Sequence, residues 1–235
     1  MTVSAIIVAA GSGRRMAGDI PKQYLPIGGI PVLVHTLRVF CSAPFIEQIF
    51  LVVRSEDLSF CSEKILTFEA FSKEIKLVEG GAERQDSVYN GLLAADGRPD
   101  DIVVIHDGVR PFLTPLQLSE CVETARCDGA CILGLPVSST LKMVNPTGII
   151  KKTLTRDHIW QAQTPQAFRF SIIMEAHTAA RKAGLKTTDD AMLLELSGID
   201  VRVIRGSGTN LKITTPEDLA MAEAIYRHQD GQHSM

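Results

Sequence analysis

Short apolar segments alternate with longer segments of helical spacing along most of the chain. Residues 3–10 form a continuous apolar run rich in β-branched side chains, which predicts a buried strand. Similar runs predict strands at 46–53, 75–78, 101–106, 130–135 and 201–204. Helical spacing between them predicts helices at 31–43, 58–71, 84–95, 115–127, 171–183, 189–196 and 216–226. This alternation predicts an α/β fold with a mainly parallel sheet that helices cover on both faces.

The pattern changes between about residues 137 and 160. Residues 138–143 and 149–154 each alternate polar and apolar side chains, and the Asn-Pro-Thr-Gly sequence at 145–148 is typical of a turn. These features predict a β-hairpin that interrupts the series of strands and helices. Because an isolated hairpin is only marginally stable, we expect it to pack on another surface, such as a second subunit.

Composition favours one domain that spans residues 1–235, with a frayed polar tail at 229–235. Hydrophobic residues make up 45% of the chain and charged residues 22%, which is enough apolar material for a sizeable core. A formal net charge of −3 argues against general binding to nucleic acid or to an anionic membrane. The sequence shows no targeting segment and no run of about 18 apolar residues. We therefore expect a cytoplasmic protein whose partners include neither nucleic acid nor a membrane.

The cysteines do not form a metal-binding pattern. All five, at positions 41, 61, 121, 127 and 131, lack the Cys-x-x-Cys spacing that is typical of zinc sites. We therefore expect reduced thiols and assign no side chain to a metal.

The loop after the first predicted strand combines glycines with positive charge. Gly11 and Gly13 allow the backbone to approach a ligand, and Arg14, Arg15 and Lys22 fall within nine positions of one another. Because ligands of open α/β sheets bind at the carboxyl ends of strands, we predict a nucleoside triphosphate site here. The loop lacks the Walker A sequence and the third glycine of the dinucleotide fingerprint. A basic surface turn is the alternative interpretation.

Two further loops, at 79–87 and 107–112, are expected at the same edge of the sheet. In the first, Gly81 permits close approach and Ser87 offers a hydroxyl group, although ordinary capping of the following helix explains these residues equally well. In the second, Asp107 stands at the tip of a buried strand, where it suits a ribose or substrate hydroxyl group. The alternative is that its carboxylate simply pairs with the nearby Arg110.

Polar residues also gather in two later segments. Residues 156–166 contain many hydrogen-bond donors, and Lys212 precedes a helix that opens near Pro216, although a solvated lysine is the common alternative.

His106 and His158 are expected to be structural hydrogen-bonding groups rather than bases. Signatures of metalloproteases and nucleophilic hydrolases are absent from the sequence. Arginine, lysine and backbone N–H groups suit phosphoryl or nucleotidyl transfer, in which catalysis is mostly positioning and charge stabilisation.

Five motifs together make the chain resemble a known enzyme family, the 2-C-methyl-D-erythritol 4-phosphate cytidylyltransferases. They are AAGSGRRM at 9–16 with PKQ at 21–23, GGAERQDSV at 80–88, HDGVRP at 106–111, QTPQ at 163–166 and LKITTPED at 211–218. The resemblance covers nearly the whole chain in the same order. It implies a Rossmann-like α/β fold whose hairpin, at about 137–160, is a dimerisation arm.

The resemblance also implies a reaction and a site. CTP and 2-C-methyl-D-erythritol 4-phosphate would give 4-diphosphocytidyl-2-C-methyl-D-erythritol and pyrophosphate, with Mg²⁺ held mainly by the CTP phosphates. The implied catalytic residues are Arg15, Lys22, Arg156 and Lys212. The implied nucleotide-binding residues are Ala9, Ala10, Gly11, Gly13, Gly81, Ala82, Ser87, Asp107, Gly108 and Arg110. The implied acceptor-binding residues are Asp107, Thr140, Arg156, Thr164, Thr188 and Lys212.

Three alternatives are weighed against this interpretation. Ribitol-5-phosphate cytidylyltransferase shares most of the motifs, but Ala10 in place of a glycine and Lys142 after Thr140 favour the isoprenoid enzyme. A dinucleotide-dependent oxidoreductase lacks support because the third glycine is missing. A non-catalytic nucleotide-binding regulator would not need both Arg15 and Lys22. Ser139 and Ala82 depart from the family pattern without removing a charged group.

Overall fold

The computed structural model describes residues 1–11 and 20–233. Eleven strands are described: β1 Val3–Val8, β2 Pro26–Ile27, β3 Ile30–Pro31, β4 Gln48–Val53, β5 Ile75–Glu79, β6 Ile102–Asp107, β7 Ala130–Pro136, β8 Leu141–Val144, β9 Ile150–Leu154, β10 Trp160–Arg169 and β11 Arg202–Arg205. Seven of them form the central sheet, in the order β11-β7-β10-β6-β1-β4-β5. Only β10 pairs antiparallel to its neighbours in this sheet. The predicted mainly parallel α/β sheet is therefore confirmed.

Helices lie on both faces of the sheet and bury two large apolar clusters against it. The described helices are α1 Val32–Ser42, α2 Leu58–Phe60, α3 Arg84–Ala95, α4 Pro115–Asp128, α5 Phe170–Ala183, α6 Ala191–Leu196 and α7 Pro216–His233. The ends of α3 match the prediction, and most other predicted elements differ from it by one to three residues at their ends. Within the described residues, none of these helices combines the length and apolarity that a membrane span requires.

Two predicted helices have different lengths in the structure. The helix predicted at 58–71 is reduced to α2 and one π-helical turn at Cys61–Ile65. Further along, Ser72 and Lys73 donate hydrogen bonds to carbonyl groups at the end of α1 and beyond it, and these tertiary contacts hold the chain out of the helix. In contrast, α7 continues to His233, so residues 229–233, predicted as a frayed tail, are helical in the structure.

Strand β10 was not predicted at all. Its sequence mixes polar residues with Pro165, and a proline normally argues against a central strand. In the structure the register of pairing with β7 shifts between Ala162 and Gln166, so the proline lies in an irregularity and removes no regular ladder bond. The Thr164–Pro165 peptide bond is cis. The buried polar side chains of β10 have hydrogen-bond partners, which is why a central strand tolerates them.

The predicted hairpin is present as β8 and β9, which pair only with each other and form a separate two-stranded sheet. Large apolar side chains on it are exposed in the single chain, among them Met143, Val144, Ile149 and Ile150. The small hairpin formed by β2 and β3 was not predicted, because two-residue strands carry no periodic signal.

The edge at the carboxyl ends of β1, β4 and β6 brings the predicted loops together. Backbone hydrogen bonds join the loop segments to neighbouring strands, from Ala9 to Val52, from Gly80 to Val53 and from Gly108 to Val8. These bonds fix the described parts of the three loops around one opening, where many of the predicted site residues lie.

Candidate active site

A cavity of about 620 Å³ opens at this edge of the sheet. Its volume lies in the range of small-molecule sites. Predicted site residues that line it are Ala9, Ala10, Gly11, Lys22, Gly81, Ala82, Ser87, Asp107 and Lys212. The structure thus brings most of the predicted nucleotide-binding residues together with two of the predicted catalytic cations.

Two glycines are required by close packing in the wall of the cavity. A Cβ atom on Gly80 would lie 2.6 Å from the Cβ of Ala10, and one on Gly81 would lie 2.3 Å from the Cβ of Asp86. Any side chain there would push the loop away from its neighbours. The hydroxyl of Ser87 accepts a hydrogen bond from the Gly81 N–H and donates one to the carbonyl of Glu83. Ser87 therefore shapes the loop, while Glu83 and Asp86 form the capping box of α3.

The first loop is anchored by Gln23, which sequence reasoning did not select. Gln23 is buried, and its side-chain amide donates to the carbonyls of Ala9 and Gly11, at 2.9 and 3.5 Å. Lys22 precedes it on a short 3₁₀ turn and reaches the cavity wall. The predicted residues Gly13 and Arg15 lie outside the described residues.

Asp107 is the centre of a charged cluster between the loops. Its Oδ1 is 3.1 Å from Nε of Arg84, and its Oδ2 is 2.8 Å from Nζ of Lys212 and 3.6 Å from Nε of Arg110. The Asp107 side chain is only 8% exposed, so these pairs are weakly screened. The predicted alternative, a pair between Asp107 and Arg110, is present, but two further cations share the same carboxylate.

These cations keep Asp107 ionised. Burial alone would raise the pKa of the Asp107 carboxyl group, but Arg84, Lys212 and Arg110 outweigh burial and hold its pKa well below the usual value. Burial also lowers the pKa of Arg110, and Asp107 offsets part of that effect. Asp107 is therefore a fixed hydrogen-bond acceptor and a counter-ion, not a proton donor.

A pH-dependent contribution to stability follows from the depressed pKa of Asp107. The carboxylate stabilises the fold fully above the pKa of about 3.9 in the unfolded chain, and this contribution is lost as the pH falls towards the lower pKa of the folded state. Asp107→Asn should therefore lower the free energy of unfolding at pH 7, and its difference from the wild type should shrink below about pH 5. Urea unfolding at pH 7 and pH 4 measures this, with the exposed Asp100→Asn as the control. A difference that widens at pH 4 would contradict the assignment.

His106 and Thr164 are linked to the backbone of Asp107 by hydrogen bonds. Nε2 of His106 lies 3.1 Å from the carbonyl oxygen of Arg110, so this nitrogen must carry the proton and donate it. Nδ1 then accepts from the Thr164 hydroxyl, whose oxygen accepts in turn from the backbone N–H of Asp107. Burial lowers the pKa of His106 to about 4, so the ring is neutral near pH 7. The prediction that His106 is structural is consistent with this network.

A second, smaller cavity adjoins the first. The predicted residues Arg110, Thr164 and Thr188 line it. Arg84, Asp107 and Lys212 line both cavities and so mark the place where they meet. Two bound molecules, one in each cavity, would approach each other at these three side chains.

Three predicted residues line neither described cavity. Gly108 is buried, where an added Cβ would crowd Leu33 and Ala9. Thr140 and Arg156 lie near the hairpin and are exposed, and Arg156 donates a hydrogen bond to the carbonyl of Ser138. Within one chain, the arm residues are therefore separate from the cavities of the described structure.

Arg84 was quoted within a motif but was not selected as a site residue. Its Nη1 is also 2.8 Å from Oδ2 of Asp190, a residue 106 positions away. The sequence signal was its place at the first position of α3, directly after the Gly80–Gly81 turn. No local pattern marked its partner Asp190.

The described residues contain no group of three or more His, Cys, Asp or Glu side chains that could hold a metal ion. Both oxygens of Asp107 are already paired with cations. A divalent ion at this site would therefore take its ligands mainly from the phosphates of a bound nucleotide, which fits the low ligand count that Mg²⁺ needs from proteins.

A carboxyl-edge cavity with glycine loops and converging cations, on a mainly parallel α/β sheet, fits a nucleotidyltransferase. The family model described as 2-C-methyl-D-erythritol 4-phosphate cytidylyltransferase matches residues 3–228. The chain belongs to this family.

Curated relatives agree over nearly their full length. A protein of Geobacter metallireducens with this name is 46% identical over 97% of the chain and 99% of its own length. A protein of the same name from Syntrophus aciditrophicus is 49% identical over 98% of the chain and 98% of its own length. A solved structure of 4-diphosphocytidyl-2C-methyl-D-erythritol synthase from Anaerococcus prevotii is 34% identical, covers 96% of each chain and has a TM-score of 0.83. None of these names supports the ribitol phosphate alternative.

Proposed function

We propose that the chain transfers the cytidylyl group of CTP to 2-C-methyl-D-erythritol 4-phosphate, which gives 4-diphosphocytidyl-2-C-methyl-D-erythritol and pyrophosphate. This reaction belongs to the non-mevalonate route to isoprenoid precursors. The observation that carries the proposal is the junction of two cavities at Asp107 and Lys212 in a chain of this family. One cavity suits a nucleoside triphosphate and the other a small phosphorylated acceptor.

CTP occupies the larger cavity in this proposal. The base and ribose face the loops at 9–11 and 80–87, whose backbone groups supply hydrogen bonds, with Asp107 as the acceptor for a ribose hydroxyl group. The triphosphate extends towards Lys22 and the basic loop that contains Arg15. Because the chain as a whole is acidic, the protein's share of the charge balance comes from the cations and backbone donors gathered there.

The chemical step is an in-line displacement at the α-phosphorus. An oxygen of the acceptor phosphate forms a bond to the α-phosphorus, and the bond from that phosphorus to the bridging oxygen breaks as pyrophosphate leaves. Negative charge grows on the α-phosphate oxygens and on the leaving group, where Lys22 and Arg15 stabilise it. Lys212, together with Thr164 and Thr188 in the smaller cavity, positions the acceptor.

Mg²⁺ would complete the charge balance. Held mainly by the CTP phosphates, it would lower the charge that the acceptor phosphate has to approach. The protein residues contribute orientation: Asp107 is paired with its cations, and Lys22 lines the same cavity.

One assay tests the reaction. Pyrophosphate release should be highest with CTP among the four nucleoside triphosphates. With CTP, kcat/KM should favour methylerythritol phosphate over ribitol phosphate by at least about 10²-fold, because the longer, unbranched chain of ribitol phosphate places its hydroxyl groups differently and leaves polar groups of the site unpaired. EDTA should abolish release and added Mg²⁺ should restore it. Equal use of ribitol phosphate would refute the acceptor assignment, and full activity in EDTA would refute the metal requirement.

We also propose that the hairpin is the arm of a two-fold homodimer and carries Thr140 and Arg156 into the partner's acceptor site. Two facts support this. The described residues of the chain leave apolar side chains of β8 and β9 exposed, and a two-stranded hairpin is marginally stable alone. The predicted acceptor-binding residues Thr140 and Arg156 also line neither of the two described cavities of their own chain.

Subunit mixing tests the arm. A Lys22→Ala subunit paired with an Arg156→Ala subunit should regain one intact site, because the Arg156 of the first reaches the Lys22 of the second. With equal, random exchange, about a quarter of the wild-type activity is expected. Each variant mixed with itself is the control, and native mass spectrometry verifies the exchange. No recovery despite confirmed heterodimers would show that each site is complete within one chain.

A further inference from the structure

Arg84 is held between two buried carboxylates at the junction of the cavities. Its Nε contacts Oδ1 of Asp107 at 3.1 Å and its Nη1 contacts Oδ2 of Asp190 at 2.8 Å. Because a guanidinium presents its donors in a fixed planar fork, these two contacts set the orientation of the whole group. Its Nη2 is buried without a hydrogen-bond partner among the described residues.

Asp190 is itself held from two directions. Its Oδ1 lies 3.1 Å from Nε2 of His177, and its backbone N–H donates to Oε1 of Gln166. All three residues are at most 1% exposed. Asp190 therefore has one arrangement available, and its second carboxylate oxygen is aimed at Arg84.

Asp190 and His177 line neither the larger nor the smaller described cavity, whereas Arg84 lines both. They cannot serve as contacts for a substrate in those cavities. Burial alone would raise the pKa of Asp190, but Arg84 and His177 lower it below its usual value, so the carboxylate remains charged. Among the described ion pairs, Arg84, Arg110 and Lys212 all contact the carboxylate of Asp107. Asp190 adds a second carboxylate to this cluster through its pair with Arg84.

We propose that Asp190 and His177 are positioning residues for the nucleotidyl transfer, which orient Arg84 and through it Asp107 where the two cavities meet. The inference rests on the proposed function. It assigns Arg84 to the site as the link between a buried anchor and the carboxylate that both cavities share. Small displacements of such groups are costly, since a shift of about 1 Å can lower a rate by about 10²-fold.

A double-mutant cycle tests the link. Arg84→Ala should lower kcat/KM for the acceptor by about 10²-fold, and Asp190→Asn by about 10-fold. If Asp190 acts through Arg84, then Asp190→Asn should have less than about a 2-fold further effect in the Arg84→Ala background. An independent structural effect of Asp190 would instead lower activity by the same factor in both backgrounds, and that result would overturn the proposal.

Glu69→Gln is the matched control, because it removes the carboxylate of another ion pair, with Arg38, outside both cavities. It should leave kcat/KM unchanged, and a 10-fold loss there would contradict a specific role for Asp190.

If Asp190→Asn does not fold, His177→Phe and His177→Gln replace it. Phe removes the donor to Asp190 and should lower kcat/KM by about 3-fold or more, while Gln keeps a donor and should retain activity.

The two hypotheses fail in different ways. A wild-type enzyme that releases no pyrophosphate from CTP and methylerythritol phosphate would refute the proposed function. An active wild-type enzyme whose Arg84 and Asp190 substitutions multiply independently would refute only the positioning role.

Discussion

Lys22→Ala is expected to lower kcat by about 10²–10³-fold, the range found when one preorganised donor to a developing charge is removed. Lys22 stands on a short turn in the wall of the larger cavity, next to the buried Gln23 that anchors the loop at Ala9 and Gly11. Because the side chain of Gln23 remains, the cavity should keep its shape while it loses a positive charge. The effect should therefore fall on turnover rather than on folding.

Steady-state rates and thermal unfolding of the same preparations check this prediction. The melting temperature of Lys22→Ala should stay within about 2–4 °C of the wild type, which corresponds to about 1 kcal/mol for a chain of this size. Lys64→Ala, an exposed lysine on the helical turn after α2, removes the same charge from the surface and should keep full activity. A folded Lys22→Ala enzyme with nearly normal turnover would remove Lys22 from the mechanism.

Lys212→Ala is expected to lower kcat/KM for the acceptor by a similar factor of about 10²–10³. Its Nζ lies 2.8 Å from Oδ2 of Asp107, and its side chain lines both cavities. In the proposed mechanism the substitution removes the cation that faces the acceptor phosphate, and it leaves Oδ2 of Asp107 with the longer, 3.6 Å contact to Arg110. The KM for CTP should change much less, because the loops at 9–11 and 80–87 are untouched.

Lys186→Ala is the control for this second prediction. Lys186 pairs with Glu83 at 3.3 Å but both side chains are largely exposed, and such surface pairs contribute little. Its kinetics with both substrates should match the wild type. A Lys212→Ala enzyme that loses affinity for CTP but keeps a normal KM for the acceptor would place Lys212 on the nucleotide side of the reaction instead.

Local sequence patterns predicted the parts of the fold that depend on local properties. The apolar run of β1 was recognised because a strand buried on both faces is continuously apolar, and α3 was recognised because apolar positions of a helix recur about every 3.6 residues. The glycine turn at Gly80 and Gly81 was recognised because only glycine tolerates such close packing. The hairpin followed from alternation and a turn signal.

Strand β10 shows where such patterns fail. Its buried Gln163, Thr164 and Gln166 look like loop residues, and only their long-range hydrogen bonds make a central position stable. These bonds reach residues 23 to 58 positions away. A short window of neighbouring residues therefore does not contain the partners that make β10 stable.

The sequence by itself determined most of the strands and helices, the loops that form the cavity and the presence of Lys22, Asp107 and Lys212 in them. These are local properties of spacing, glycine content and charge. Only the tertiary structure decided that Arg84 joins Asp107 to Asp190, 23 and 106 positions away along the chain. The reason is physical: a buried charge is stable only when an opposite charge is packed against it, and folding, not sequence proximity, selects that partner.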